Sequence, residues 1–184
     1  MLPLPALWLP ILVSAVLVFV ASSAIHMVLP WHKSDYPRMP NEEKAMDALR
    51  PLAIPPGDYL VPCPGTRAEM RTPEFAEKLK KGPVMVMTVM ENGPMPMGKN
   101  MVFWFLYCLV VSIFAGYIAG HAFGSSPRRI IRMAGVTAFA GYTLALWQLS
   151  IWYRRSLSTT AKATVDGAIY ALITGAVFVW LWPH

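Results

Sequence analysis

Four stretches of this chain run for about twenty residues or more with almost no charge, and that single feature decides which solvent the polypeptide folds against. From Leu2 to Leu29 there is no charged side chain, and Met101 to Phe123 reads MVFWFLYCLVVSIFAGYIAGHAF, again without charge. A third run extends from about Met133 to Tyr153 and a fourth from about Thr160 to Trp182, with Gln148, Lys162 and Asp166 as their strongly polar exceptions. A helix rising 1.5 Å per residue needs roughly 20 apolar residues to cross a hydrocarbon core of about 30 Å. Lipid leaves no unpaired backbone group satisfied, and runs of this length exceed barrel strands, so α-helices are the economical form. Composition agrees: 55% of the 184 residues are hydrophobic and 14% charged, too little polar material to clothe a soluble domain of this size.

The expected fold is therefore an all-α membrane protein with four transmembrane helices and a small α/β extramembrane segment between helices 1 and 2. Residues 1–31 form transmembrane helix 1, 32–100 the polar segment, and 101–184 a three-helix transmembrane hairpin bundle. The first span reads as an uncleaved anchor rather than a secretory signal. It lacks a basic leading region, its apolar run is long, and charge follows it at Lys33 and Arg38.

Basic residues set the expected orientation. The side holding the first and third loops carries thirteen of the sixteen lysines and arginines, against Arg128, Arg129 and Arg132 on the other. Near the span ends the positive-inside rule counts Lys33, Arg38, Lys44, Lys99, Arg154, Arg155 and Lys162 on that side. Residues 32–100 are thus expected in the cytoplasm and both termini outside, in a bacterial inner (cytoplasmic) membrane. Trp31, Trp104, Trp152 and Tyr153 would mark one interface, and Trp8, Trp180 and Trp182 the other. The net charge of +6 follows from these flanking residues, and the lipid bilayer, not nucleic acid, is the partner it implies.

In the polar segment, Asn41 is positioned to cap a short helix through Arg50, and Pro51, Pro55, Pro56 and Gly57 impose a turn. Asp58 to Val61 is strand-like, Thr72 and Pro73 open a second helix that Gly82 closes, and Val84 to Val89 favours another strand.

Candidate chemistry is sparse. Met85, Met87, Met90, Met95 and Met97 form a thioether-rich patch of the kind that holds reduced copper, but methionine more often fills irregular apolar gaps, and packing is the expected role. Cys63 and Cys108 have no partner at metal-ligand spacing. His26 and His121, the histidines inside spans, fall at opposite membrane faces and cannot share a haem; His32 and His184 lie outside the core. No cofactor and no metal site is expected, and no catalytic residue is assigned. No nucleotide loop, zinc motif or nucleophile elbow is present, which leans away from an enzyme.

His26, Gln148 and Asp166 should sit at similar depth near one interface, forming a candidate intramembrane polar cluster. An ionisable group there normally faces protein and has a partner, because lipid exposure is costly. Such a cluster can relay protons, hold a quinone head group or simply join helices. Two stripes of small residues carry the packing signal: Ser112, Gly116, Gly120 and Gly124 in the second span, and Gly167, Ala171 and Gly175 in the fourth. They either seal the four helices internally or receive a helix from another membrane subunit.

At PPGDYLVPCP, KGPVMVMTVMENGPMPMGKN and WQLSIWYRRSLSTTAKATVDG the chain resembles an uncharacterised family of small four-helix bacterial inner-membrane proteins. The resemblance covers most of the chain and implies architecture and membrane only; it carries no site or activity. The leading expectation is a non-catalytic accessory or scaffold subunit of a larger membrane complex. The alternative is a small membrane redox or transport protein built around the intramembrane polar site.

Overall fold

The computed structural model describes residues 2–122 and 126–183. Contacts divide the chain into two units, Met1–Pro37 with Pro96–His184, and Arg38–Met95.

Among the described residues, the first unit contains four helical stretches long and apolar enough to cross a membrane: Leu4–Val28, Met97–His121, Pro127–Tyr153 and Leu157–Trp180. The first enters through a 3-10 turn at Leu4–Leu7, continues as α1 (Trp8–Ser23), and loosens into a π-helical turn at Ala24–Val28. Pro3, Pro5 and Pro10 fall in the entry turn and the first turn, where a missing N–H costs little. Leu29 is extended, as a residue before proline tends to be, and a 3-10 turn at Pro30–His32 follows.

In the second unit, α2 (Glu42–Leu49), β1 (Gly57–Val61), α3 (Pro73–Lys81) and β2 (Met85–Val89) follow in order. The strands pair antiparallel from Gly57↔Val89 to Val61↔Met85, and Thr88 donates to Asp58 Oδ1 across them at 2.6 Å. Thr72 caps α3 by accepting from the Phe75 N–H at 3.2 Å, as its position before a proline predicts. Asn41 departs from its expected role: it is left-handed, at φ 55°, and its side chain makes no cap. Asparagine tolerates that region, so it turns the chain into α2 instead of bonding to it. Gly82 ends α3 at φ 61°.

Back in the first unit come α4 (Met97–His121), α5 (Pro127–Thr143), α6 (Trp147–Tyr153) and α7 (Leu157–Trp180). The third apolar stretch is not one regular helix. A 3-10 turn at Leu144–Leu146 separates α5 from α6, and Thr143 Oγ1 donates back to the Phe139 carbonyl at 2.7 Å, a bond that bends helices.

α1 packs on α4 and α7, and α5 packs on the same two helices from their other side. The small-residue stripes lie at these contacts. Ser112 is fully buried and accepts a hydrogen bond from Ser14 on α1 at 3.0 Å. A β-carbon on Gly116 would sit 3.0 Å from Ile11, and one on Gly120 would sit 2.9 Å from the Leu2 carbonyl. On α7, a β-carbon at Gly167 would overlap Thr143 Cγ2, and one at Gly175 would meet Ile131 at 2.9 Å. Ala171, between them, is buried in the interior. Gly124 lies outside the described residues. Small residues at these positions permit close approach of the helix backbones.

Candidate functional site

Where α1 gives way to the turn at Pro30–His32, five side chains form one connected network. Its centre is His32. Its Nδ1 lies 2.6 Å from Asp35 Oδ2 and its Nε2 lies 2.8 Å from Asp166 Oδ2. Lys162, one turn before Asp166 on α7, donates to Asp35 Oδ1 at 2.8 Å and to Ser34 Oγ at 2.7 Å. The Lys162 ammonium also lies 5.8 Å from the centre of the Trp31 ring, where the aromatic face attracts a cation. Both carboxylates are nearly sealed, with side-chain exposures of 5% for Asp166 and 6% for Asp35. Burial alone would raise the Asp35 pKa; the hydrogen bonds and charges of Lys162 and His32 outweigh it and hold the carboxyl below its ordinary value.

His26, six residues before His32, joins by stacking. The two imidazole rings lie 4.3 Å apart between centres at an interplanar angle of 8°. His26 Nδ1 is 3.0 Å from the Ser22 carbonyl, and Ser22 Oγ in turn accepts from Trp104 Nε1 at 2.7 Å. A chain of contacts thus runs from α4 through α1 to α7.

Beside this network opens a cleft of about 710 Å³, into which His26 and Asp166 both face. Its remaining wall is almost wholly apolar or aromatic and includes Met97, Met101, Trp104, Tyr107, Tyr142 and Tyr170. Tyr142 and Tyr170 are buried, and neither hydroxyl has a hydrogen-bond partner among the described residues. The Cys108 thiol, a weak acceptor, borders Tyr142. An unpartnered buried hydroxyl costs about 1–3 kcal/mol; both are sealed behind the wall, so a ligand acceptor would reach them only if the rings shifted.

Of the cluster expected from sequence, the structure brings together His26 and Asp166. It does not bring Gln148, which is exposed on α6 and makes no side-chain hydrogen bond among the described residues. Three residues of 3-10 winding before α6 advance the helix face by roughly 60° relative to an uninterrupted helix, enough to turn this side chain away. His32, assigned outside the core, takes the central place instead. Asp35, a carboxylate three residues beyond it, is the sequence signal that could have drawn attention to it.

His121 bonds through Nδ1 to the Tyr117 carbonyl on its own helix and is exposed; His184 lies outside the described residues. Met97 opens α4 and lines the cleft, whereas Met85 and Met90 are exposed in the second unit. Compared with known proteins, the chain matches no family model, no curated protein and no solved structure.

Proposed function

We propose that this chain is an integral membrane protein of a bacterial inner membrane that binds a lipid-soluble ligand of the quinone class in the aromatic cleft. Both termini lie outside and residues 32–100 lie in the cytoplasm. The observation that carries the reading is the cleft, whose aromatic wall combines an imidazole and a carboxylate at one end with two tyrosines whose buried hydroxyls have no oxygen or nitrogen acceptor among the described residues. A quinone supplies carbonyl acceptors on a flat ring and an apolar tail, matching donors set in an aromatic wall. Its volume falls within the range of about 300–1,000 Å³ typical of small-molecule sites. Trp104 and Tyr107 stack with centres 5.4 Å apart and offer a flat surface for such a ring.

A second reading is an accessory or scaffold role beside a larger complex, which rests on the short bundle, its few interior polar groups and the lack of a catalytic motif in the sequence. Gly116, Gly120, Gly167 and Gly175 face neighbours within this chain, so such a partner would dock elsewhere than on those glycines.

The test is titration of the detergent-purified protein with a short-tailed quinone, read by quenching of tryptophan emission. Saturable binding is expected. Tyr142→Phe and Tyr170→Phe should each weaken it about fivefold, the equivalent of one neutral hydrogen bond near 1 kcal/mol. Neither change should destabilise the ligand-free protein, because each removes an unpaired hydroxyl. Quenching that never saturates, or that both variants leave unaltered, would refute the assignment.

A further inference from the structure

The imidazole of His32 faces a carboxylate oxygen on each of its two nitrogens. Ionised carboxylates only accept hydrogen bonds, and a neutral imidazole has one donor. The short contact to Asp35 takes that donor at Nδ1, which leaves the Nε2 lone pair pointing at Asp166 Oδ2 from 2.8 Å. Something positive belongs between them. A proton satisfies the contact, and a metal cation satisfies it as well.

His26 presents the same arrangement. Its Nδ1 faces a carbonyl, which can only accept, so Nδ1 carries the hydrogen and Nε2 carries the lone pair. One nitrogen from each ring and one Asp166 oxygen all lie within 4.8 Å of one another. The geometry points to a site for a divalent first-row transition metal, bound by His26, His32 and Asp166. This goes beyond quinone binding and does not depend on it.

Three further features support the assignment. First, the donor set is two imidazoles and a carboxylate with no sulfur, which suits Zn²⁺ or Fe²⁺ rather than reduced copper. Second, the supports behind the ligands are in place. Metal-binding histidines characteristically donate their other N–H to a carboxylate or carbonyl, fixing tautomer and ring direction. His32 donates to Asp35, which Lys162 anchors in turn, and His26 donates to the Ser22 carbonyl. Third, His26 and Asp166 border the cleft, so a fourth coordination position would open toward it, as in sites that keep a place for water or a ligand.

Closing the site requires two small movements. In a tetrahedral zinc site with bonds near 2.0–2.2 Å, ligand atoms stand roughly 3.3 Å apart. Asp166 and His32 must therefore separate by a few tenths of an ångström. A metal must also lie in the plane of each ring, so one ring has to leave the parallel stack. His26 is the ring able to do so: it is exposed and held by one hydrogen bond, whereas His32 is fixed at both nitrogens.

The experiment uses the full-length protein in mild detergent, stripped with a chelator and titrated with Zn²⁺ against a competing chelating dye. One zinc per chain is expected, with Asp166→Asn weakening binding at least a hundredfold. Asp35→Asn, which touches no metal, should weaken it by about 10–100-fold through loss of its hold on His32. Cys63→Ser and His121→Ala should bind as the parent does. Zinc binding unchanged in Asp166→Asn, or lost in Cys63→Ser or His121→Ala, would overturn the assignment. So would the lack of any stoichiometric binding by the parent. X-ray absorption of the zinc-loaded parent gives a reading that needs no variant to fold. Two imidazoles and oxygen near 2.0–2.1 Å are expected, and a sulfur shell near 2.3 Å or fewer than two imidazoles would overturn it.

Discussion

Adding one methyl group at Gly167 probes the closest helix approach at any glycine among the described residues. A β-carbon there would overlap Thr143 Cγ2 and stand 3.3 Å from Tyr142 Cβ, where carbon atoms ordinarily rest at about 3.5–4.0 Å. Thr143 has no easy retreat. It is 1% exposed, and its hydroxyl is held by the Phe139 carbonyl, so turning the methyl aside breaks a hydrogen bond. Relief must come from moving α7 away from α5, which loosens their most extensive packing. Overpacking of this kind costs about 1–3 kcal/mol, and an overlap this deep belongs at the upper end, near 3 kcal/mol. Alanine's better helix propensity returns about 1 kcal/mol, so a net loss of about 2 kcal/mol is expected for Gly167→Ala, close to thirtyfold in the folding equilibrium. The assay is reversible unfolding in mixed micelles, followed by tryptophan emission. Gly98→Ala is the control, because nothing lies within 4 Å of that position, and it should be neutral or stabilising. Thr143→Ser keeps the hydroxyl and removes the obstructing methyl, so the double variant Gly167→Ala/Thr143→Ser should recover at least half of the loss. Gly167→Ala as stable as the Gly98→Ala control, or a double variant no better than the single, would refute the packing argument.

Other expectations follow from single contacts. Replacing Lys162 by Met leaves Asp35 without its cation and should cost about 1.5–3 kcal/mol in the same unfolding assay. Ser14→Ala breaks the Ser14–Ser112 bond between α1 and α4 and should cost about 0.6 kcal/mol and no more than about 1.7, as interhelical hydrogen bonds in membranes do. Cys63 is exposed and Cys108 buried, so a membrane-impermeant maleimide should label Cys63 in inside-out vesicles and spare it in intact spheroplasts; the opposite pattern would invert the proposed orientation.

The four long helices were legible because a run of apolar residues is a statement about length, and length is what a bilayer measures. The break at Leu144–Leu146 was not, since no proline marks it. The strand–helix–strand order of the polar segment was legible through Thr72, Pro73 and Gly82, whose local preferences coincide with the structure. Asn41 misled because the same side chain that caps a helix also tolerates the left-handed region. Asp166 announced itself as a carboxylate in an apolar helix. Its partner did not: His32 lies beyond Pro30, past the end of the apolar run. Only the π-helical turn, the extended Leu29 and the 3-10 turn after it set the His32 ring against His26. Residues six apart on a regular helix would point in different directions, so periodicity hides this pair. The cleft was invisible for a related reason. Trp104, Tyr107, Tyr142 and Tyr170 read as belt or core aromatics, and only three-dimensional packing reveals two hydroxyls without acceptors.

The account stands on hydrocarbon surrounding the four apolar helices, and the most direct measurement is the fate of the full-length chain when membranes from cells producing it are washed with alkaline carbonate and floated on a density gradient. It should stay with the lipid and rise with it. Release into the aqueous fraction as a dispersed particle would contradict the account.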